Sequence, residues 1–143
     1  MTKQTSNLEG LTELKAALEA LGTEVATKVG VKANRKAAIA LRDKVKAAAP
    51  YLETGSKMAE KYGHLRDNIR VGRRKAFKQG MIVHTVNTGR AFWGMFVELG
   101  TVKMPPRPWF RPVFEAEADK LIEVQISELN DGIEKAARKL AKQ

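Results

Sequence analysis

Glu98 is the side chain whose setting most invites chemistry, because it stands between the apolar run Phe92-Trp93-Gly94-Met95-Phe96-Val97 and Leu99. A carboxylate among apolar neighbours either titrates upward, as a catalytic acid would, or takes a partner that keeps it charged. No second carboxylate or base accompanies it at motif distance, so a structural or intersubunit ion pair is the stronger reading. The two histidines, His64 and His84, fall in segments that read as strands, without an adjacent nucleophile or metal-ligand spacing. Cysteine is absent, which removes disulfides, thiolate chemistry and cysteine-built zinc sites. No glycine-rich phosphate loop is present either. The residues point to no catalytic set, no metal and no cofactor.

The aromatic residues concentrate in one region: Phe92, Trp93, Phe96, Trp109, Phe110 and Phe114 all lie between positions 92 and 114. They can serve as the core of a small sheet–helix domain. Part of them can instead anchor a neighbouring subunit, since Trp109-Phe110 is flanked by Arg107 and Arg111 in GTVKMPPRPWFRP, a stretch stiffened by prolines at 105, 106, 108 and 112. Both roles stay open for the arm from Met104 to Phe114. Stacking on single-stranded bases is the weaker reading, because the basic surplus lies elsewhere in the chain.

That surplus is uneven. The net charge is +10, yet residues 1–27 contribute −2, residues 28–80 contribute +11 and residues 81–143 contribute +1. Lys32, Arg35, Lys36, Arg70, Arg73, Arg74, Lys75 and Lys78 are the candidates for one positive surface, facing nucleic acid or an acidic protein. A solvated lysine-rich face is the plainer alternative. A hydrophobic content of 43% supports a real core. No apolar run approaches the roughly 18 residues of a membrane span, and MTKQTSNLEG lacks an apolar signal core.

The elements that must position these residues divide into three stretches within one domain of 143 residues, whose first seven residues are expected to be flexible. Residues 6–49 read as helix, opening on the capping box Ser6-Asn7-Leu8-Glu9. An apolar stripe runs from Leu8 through Leu41 to Ala48, with a kink or break expected near Gly30 and a stop at Pro50. Residues 51–63 read as a loop. Leu65, Asp67, Ile69 and Val71 alternate with polar residues as in a strand, and 81–86 reads as its partner after a basic turn. The run 91–99 fits either a strand or a short helix leading into one. Residues 100–111 form a loop, and an amphipathic helix follows Pro112 with Ala118, Ile122, Ile126, Leu129, Ile133, Ala137 and Leu140 on its stripe. The expected fold is α+β: a long N-terminal helix or helix pair, a small antiparallel sheet and a C-terminal amphipathic helix.

The order of short motifs adds a resemblance. AAAP at 47–50, TG at 54–55, GHLRDNIRV at 63–71, WGMFVELGT at 93–101 and PPRPWFRPVFE at 105–115 precede a long helix. This resembles the gene-ten-like family of tailed phages, neck or tail-completion proteins of the head–tail junction, from about Leu8 to about Leu140. Val97, Glu98, Gly100 and Thr101 match that family's "YA.YVE.GT" block, and Pro108, Phe110, Arg111 and Pro112 much of its "P.PFLRPA" block. Trp93-Gly94 replaces the usual tyrosine–alanine, and extra residues separate Thr54-Gly55 from Gly63-His64-Leu65.

The resemblance implies a structural virion subunit without enzymatic activity. Such a subunit assembles in the host bacterial cytoplasm into a ring, often sixfold, between the head connector and the tail tube. Its partners would be copies of itself, head-connector and tail proteins, and double-stranded DNA in passing, with no membrane. The candidate subunit-interface residues are Glu98, Gly100, Thr101, Arg107, Trp109, Phe110 and Arg111. The reading it competes with is a basic nucleic-acid-binding protein.

Overall fold

A computed structural model of the chain describes residues 2–51, 57–76, 78 and 80–142, with the backbone alone described for 2–9 and 11. The N-terminal helical stretch is a pair, α1 (Thr2–Ala20) and α2 (Thr23–Ala48). They divide at Gly22, whose φ of 88° is a conformation glycine adopts without steric cost. The break expected near Gly30 does not occur. Gly30 is instead a packing position inside α2, where a Cβ would come within 2.8 Å of the Ile82 side chain. Because α1 begins at Thr2, Ser6 stands within the helix and does not cap it; the side chains of the expected capping box lie outside the described ones. At its other end α2 stops as expected, with Ala49 extended ahead of Pro50.

Ala33, Ala37, Leu41 and Val45 recur every fourth residue and form the buried side of α2. That side faces the last helix, α6 (Arg111–Ala141), and the sheet. Gly132 of α6 lies against Val29, where a Cβ would stand 2.5 Å from a Val29 methyl, and Glu128 is ion-paired to Lys36. The two helices therefore run antiparallel. The sheet consists of β1 (Arg70–Arg74) and β2 (Val83–Asn87), paired antiparallel with Arg70 opposite Asn87 and Arg73 opposite His84. The observed class is α+β, as the sequence indicates.

Three segments depart from the expected elements. Within 51–63, residues Lys57–Tyr62 form a helix, α3, where a loop was expected. The alternation at 65–71 begins as a helical turn, α4 (Leu65–Asn68), before β1 starts. Leu65 and Ile69 are both buried, four residues apart and thus on one helical side, and the Asn68 amide donates to the carbonyls of Tyr62 (2.8 Å) and His64 (2.9 Å) to close the turn. The ambiguous run 91–99 is a helix, α5 (Trp93–Leu99), with no strand after it. The core joins Leu41, Val45, Ala49, Leu65, Ile69, Ala91 and Trp109, so it gathers residues from α2, α4 and both flanks of α5.

Candidate functional site

The segment from α5 to the start of α6 is closed by one carboxylate. Glu98 Oε2 accepts hydrogen bonds from the backbone amides of Trp109 (2.6 Å) and Phe110 (2.8 Å), and Oε1 accepts one from Arg111 (3.0 Å). These are the amides at the N-terminus of α6, which no intrahelical carbonyl can satisfy, and a negative charge there is favoured by the helix dipole. Partial burial pushes the Glu98 pKa up. The amides of Phe110, Trp109 and Arg111, helped by the Arg111 charge, more than reverse that and hold it below its ordinary value. A half-buried carboxylate whose two oxygens already accept three amides is a fastener and a poor proton donor near neutral pH.

The remaining candidates of this region shape the loop that the carboxylate closes. Gly100 takes φ 77°, and a Cβ on it would meet the Pro106 backbone nitrogen at 2.7 Å. Thr101 and Met104 exchange backbone hydrogen bonds (2.8 and 3.2 Å), and the Arg107 amide donates to the Val97 carbonyl at 2.8 Å. Trp109 is only 8% exposed; its Nε1 donates to the Gly94 carbonyl at 3.0 Å. Gly94 makes room, since a Cβ there would stand 2.6 Å from Leu65 Cδ1 and 3.2 Å from the Trp109 ring. Phe110 is half-buried, edge-on to Trp109 at 5.7 Å between centroids. Of the two roles open to this arm, the core role is the one Trp109 takes: its ring is buried within its own chain. Glu98 likewise finds its amide partners within the chain. Arg111 turns outward and bonds Glu115 at 2.9 Å.

The basic candidates separate into groups. Lys32, Arg35, Lys36 and Arg73 line one groove together with Val31 and Ile39, between α2 and β1. Lys36 is tied to Glu128, whereas no described carboxylate reaches Lys32, Arg35 or Arg73 within ion-pair distance. The field is felt at His84, whose Nδ1 lies 2.5 Å from Asn34 Oδ1. Burial first, then the charges of Arg73 and Arg35, hold its imidazole below the ordinary histidine range. Arg70 sits at the other end of β1 beside Gly89. Arg74, Lys75 and Lys78 are exposed and do not line that groove. His64 stacks on Tyr51 at 4.4 Å and its Nε2 lies 3.2 Å from the Tyr51 hydroxyl. Among the described residues no cluster of three His, Cys, Asp or Glu is placed to hold a metal ion.

A surface that the sequence reading did not single out is the outward side of α5. Phe92, Met95, Phe96 and Leu99 face solvent there, while Trp93 and Val97 pack inward on the core. The signal was present in the spacing: 92 and 96, and 95 and 99, are four apart, on the side of a helix opposite to 93 and 97. No described helix is long and apolar enough to cross a membrane.

Comparison with curated proteins and comparison with solved structures each returned no match. Comparison with protein-family models did: residues 12–100 match, a span that runs from α1 through the sheet and α5 to the glycine after Glu98. That span contains the carboxylate and ends just before the arm whose amides it holds. The chain belongs to the bacteriophage HK97-gp10-like tail-component family.

Proposed function

We propose that the protein is a structural virion subunit of the phage head–tail junction, of the tail-completion, neck or terminator type. In this reading it assembles in the host bacterial cytoplasm into a ring, of the kind the resemblance gives as often sixfold, that joins the head connector to the tail tube. The observation that carries the reading is the match to a phage tail-component family over residues 12–100. It is not an enzyme on this reading, and the engagement of Glu98, its best-placed carboxylate, by three backbone amides supports that. Two measurements test the proposal. Negative-stain imaging of the purified protein should show rings, and phage lacking the protein should accumulate unjoined heads and tails. Normal joined particles in its absence would overturn the reading.

The second reading is a basic nucleic-acid-binding protein, and one observation favours a DNA contact: Lys32, Arg35 and Arg73 converge on one groove with no described carboxylate within ion-pair distance of them. The ring reading accommodates that groove as the surface that meets double-stranded DNA in passing. The two part on salt dependence, because binding through phosphates weakens steeply as salt rises. Tight duplex binding by the free subunit at low salt, lost at moderate salt, would favour the second reading; rings with little duplex affinity favour the first.

A further inference from the structure

Helix α5 has Glu98 as its one charged residue, and part of its apolar surface, continued by Phe92 just before it, is uncovered. Phe92, Met95, Phe96 and Leu99 are 48%, 60%, 48% and 70% exposed. A helix that is apolar all round belongs in an interior, and a contiguous apolar patch on a folded subunit marks an interaction site. The patch is not free to collapse inward, because α5 is held from behind by Trp93, Val97 and the Glu98 bonds. Three exposed cations flank it along the chain. Arg90 precedes the helix by one turn, Arg107 is bonded through its amide to Val97, and Lys103 shares the loop groove with Leu99; all three are exposed.

The N-terminal half of α6 carries the matching surface. Phe114, Ala118 and Ile122 recur every fourth residue as one row, with Phe114 47% and Ile122 40% exposed; Phe114 at its start also borders the groove between α6 and α2, beside Ala37 and Leu41. Glu115, Asp119 and Glu123, each one position on, form an exposed acidic row beside it. Glu115 is taken by Arg111. No described cation reaches Asp119 or Glu123 within ion-pair distance.

We propose that α5 of one copy of this chain docks on the N-terminal half of α6 of a second copy, apolar row on apolar patch and acidic row on basic rim. A two-fold contact of α5 on α5 would oppose the two basic rims, and like charges brought face to face are costly. The contact is therefore between different surfaces, the heterologous kind that generates a closed ring or an open filament. It rests on the self-assembling reading above and names the two faces that assembly uses.

The test uses the full-length protein, with size-exclusion chromatography and light scattering as the readout. Leu99→Glu on the patch and the double variant Asp119→Lys/Glu123→Lys on the row should each weaken self-association about tenfold or more, with melting temperatures at the parent value. If Leu99→Glu melts early, Met95→Lys takes its place. The decisive arm is rescue: Lys103→Glu/Arg107→Glu mixed with Asp119→Lys/Glu123→Lys should co-assemble, though neither does alone. Oligomers that persist through every variant overturn the two faces and leave the ring reading standing. Disruption without rescue overturns the charge pairing. A monomeric parent overturns self-docking altogether, and phage carrying Leu99→Glu then show whether the patch meets another tail protein or nothing.

Discussion

Replacing Glu98 by glutamine keeps the shape of the fastener and removes its charge, so the cost can be worked from three distances. Oε2 serves Trp109 at 2.6 Å and Phe110 at 2.8 Å, and Oε1 serves Arg111 at 3.0 Å. With the glutamine oxygen in the Oε2 position, two charge-assisted bonds become neutral, and the side-chain amide group faces the Arg111 amide, donor against donor. A bond to a charged group contributes about 1.5–3 kcal/mol and a neutral one about 0.5–1.5. The lost charge at a helix N-terminus costs about 0.3–1 kcal/mol more. Because the side chain is half-buried and water can replace part of what is lost, a net destabilisation of about 2 kcal/mol is expected. In a chain of this size that lowers the melting temperature by roughly 6–8 °C.

The acid profile gives a second reading from the same melts. Since the folded-state pKa lies below its ordinary value of 4.5, the stabilisation is full above that pH and fades as pH falls through the folded value. Melts followed by circular dichroism should show a constant gap between parent and Glu98→Gln from neutral pH down to about 5, closing in stronger acid. A variant melting within about 1 °C of the parent at neutral pH, or a gap that widens on acidification, would refute the account.

Trp109→Ala should lower monomer stability by about 3–5 kcal/mol, since it empties a buried ring site and strands the Gly94 carbonyl; a near-normal melt would return the ring to the role of an external anchor. Gly94→Ala would gain about 1 kcal/mol from helix propensity alone, but its Cβ would stand 2.6 Å from Leu65, so a net loss of about 1–3 kcal/mol is expected from calorimetry. For His84, an NMR titration should give a midpoint below 6.5, and Arg73→Gln should move it upward by removing one of the charges that oppose protonation. The sign follows: the fold favours neutral His84, so its contribution is present above the ordinary pKa and is lost as pH falls through the folded one. An unmoved midpoint in Arg73→Gln would separate the two side chains.

Long-period signals were legible in the sequence and close packing was not. The alanine–leucine–valine stripe of α2 and the second strand follow from period and β-branching, which are local properties of the chain, whereas β1 takes in Gly72, Arg73 and Arg74 from the stretch that reads as a basic turn. Gly30 misled because a glycine in a helix has two explanations, a break or a close neighbour, and Ile82, fifty-two positions away, decides between them. Leu65 and Ile69 fit both an alternating strand and a helical turn, and the Asn68 bonds to Tyr62 and His64 settle the choice. On α6 the apolar stripe was real, yet Ile122 and Leu140 lie 40% and 54% exposed. Periodicity locates an apolar side of a helix, but whether the subunit itself covers that side is a tertiary matter. Glu98 was legible as a carboxylate in need of partners. Its amides lie eleven to thirteen residues on, across a proline-rich loop whose course the sequence does not specify.

The Glu98 bonds also bear on assembly through geometry. Outward from this joint, α5 carries the apolar patch with its basic rim, and α6 carries the apolar row with its acidic neighbours. The carboxylate sits at the last turn of the one and on the first amides of the other. In a heterologous contact the angle between the two surfaces of a single subunit decides whether successive copies close into a ring or continue as a filament. The bonds of Glu98 to Trp109, Phe110 and Arg111 help to hold that angle, together with the Arg107 bond to Val97, the buried Trp109 ring and the packing of α6 on α2. A long flexible linker at this point would leave the proposed contact its affinity and take away its closure. The short proline-stiffened loop, with Gly100 packed against Pro106, leaves the joint little freedom. One carboxylate thus joins the two blocks of sequence that carry the family resemblance, and it contributes to the relative placement of the faces by which copies are proposed to meet.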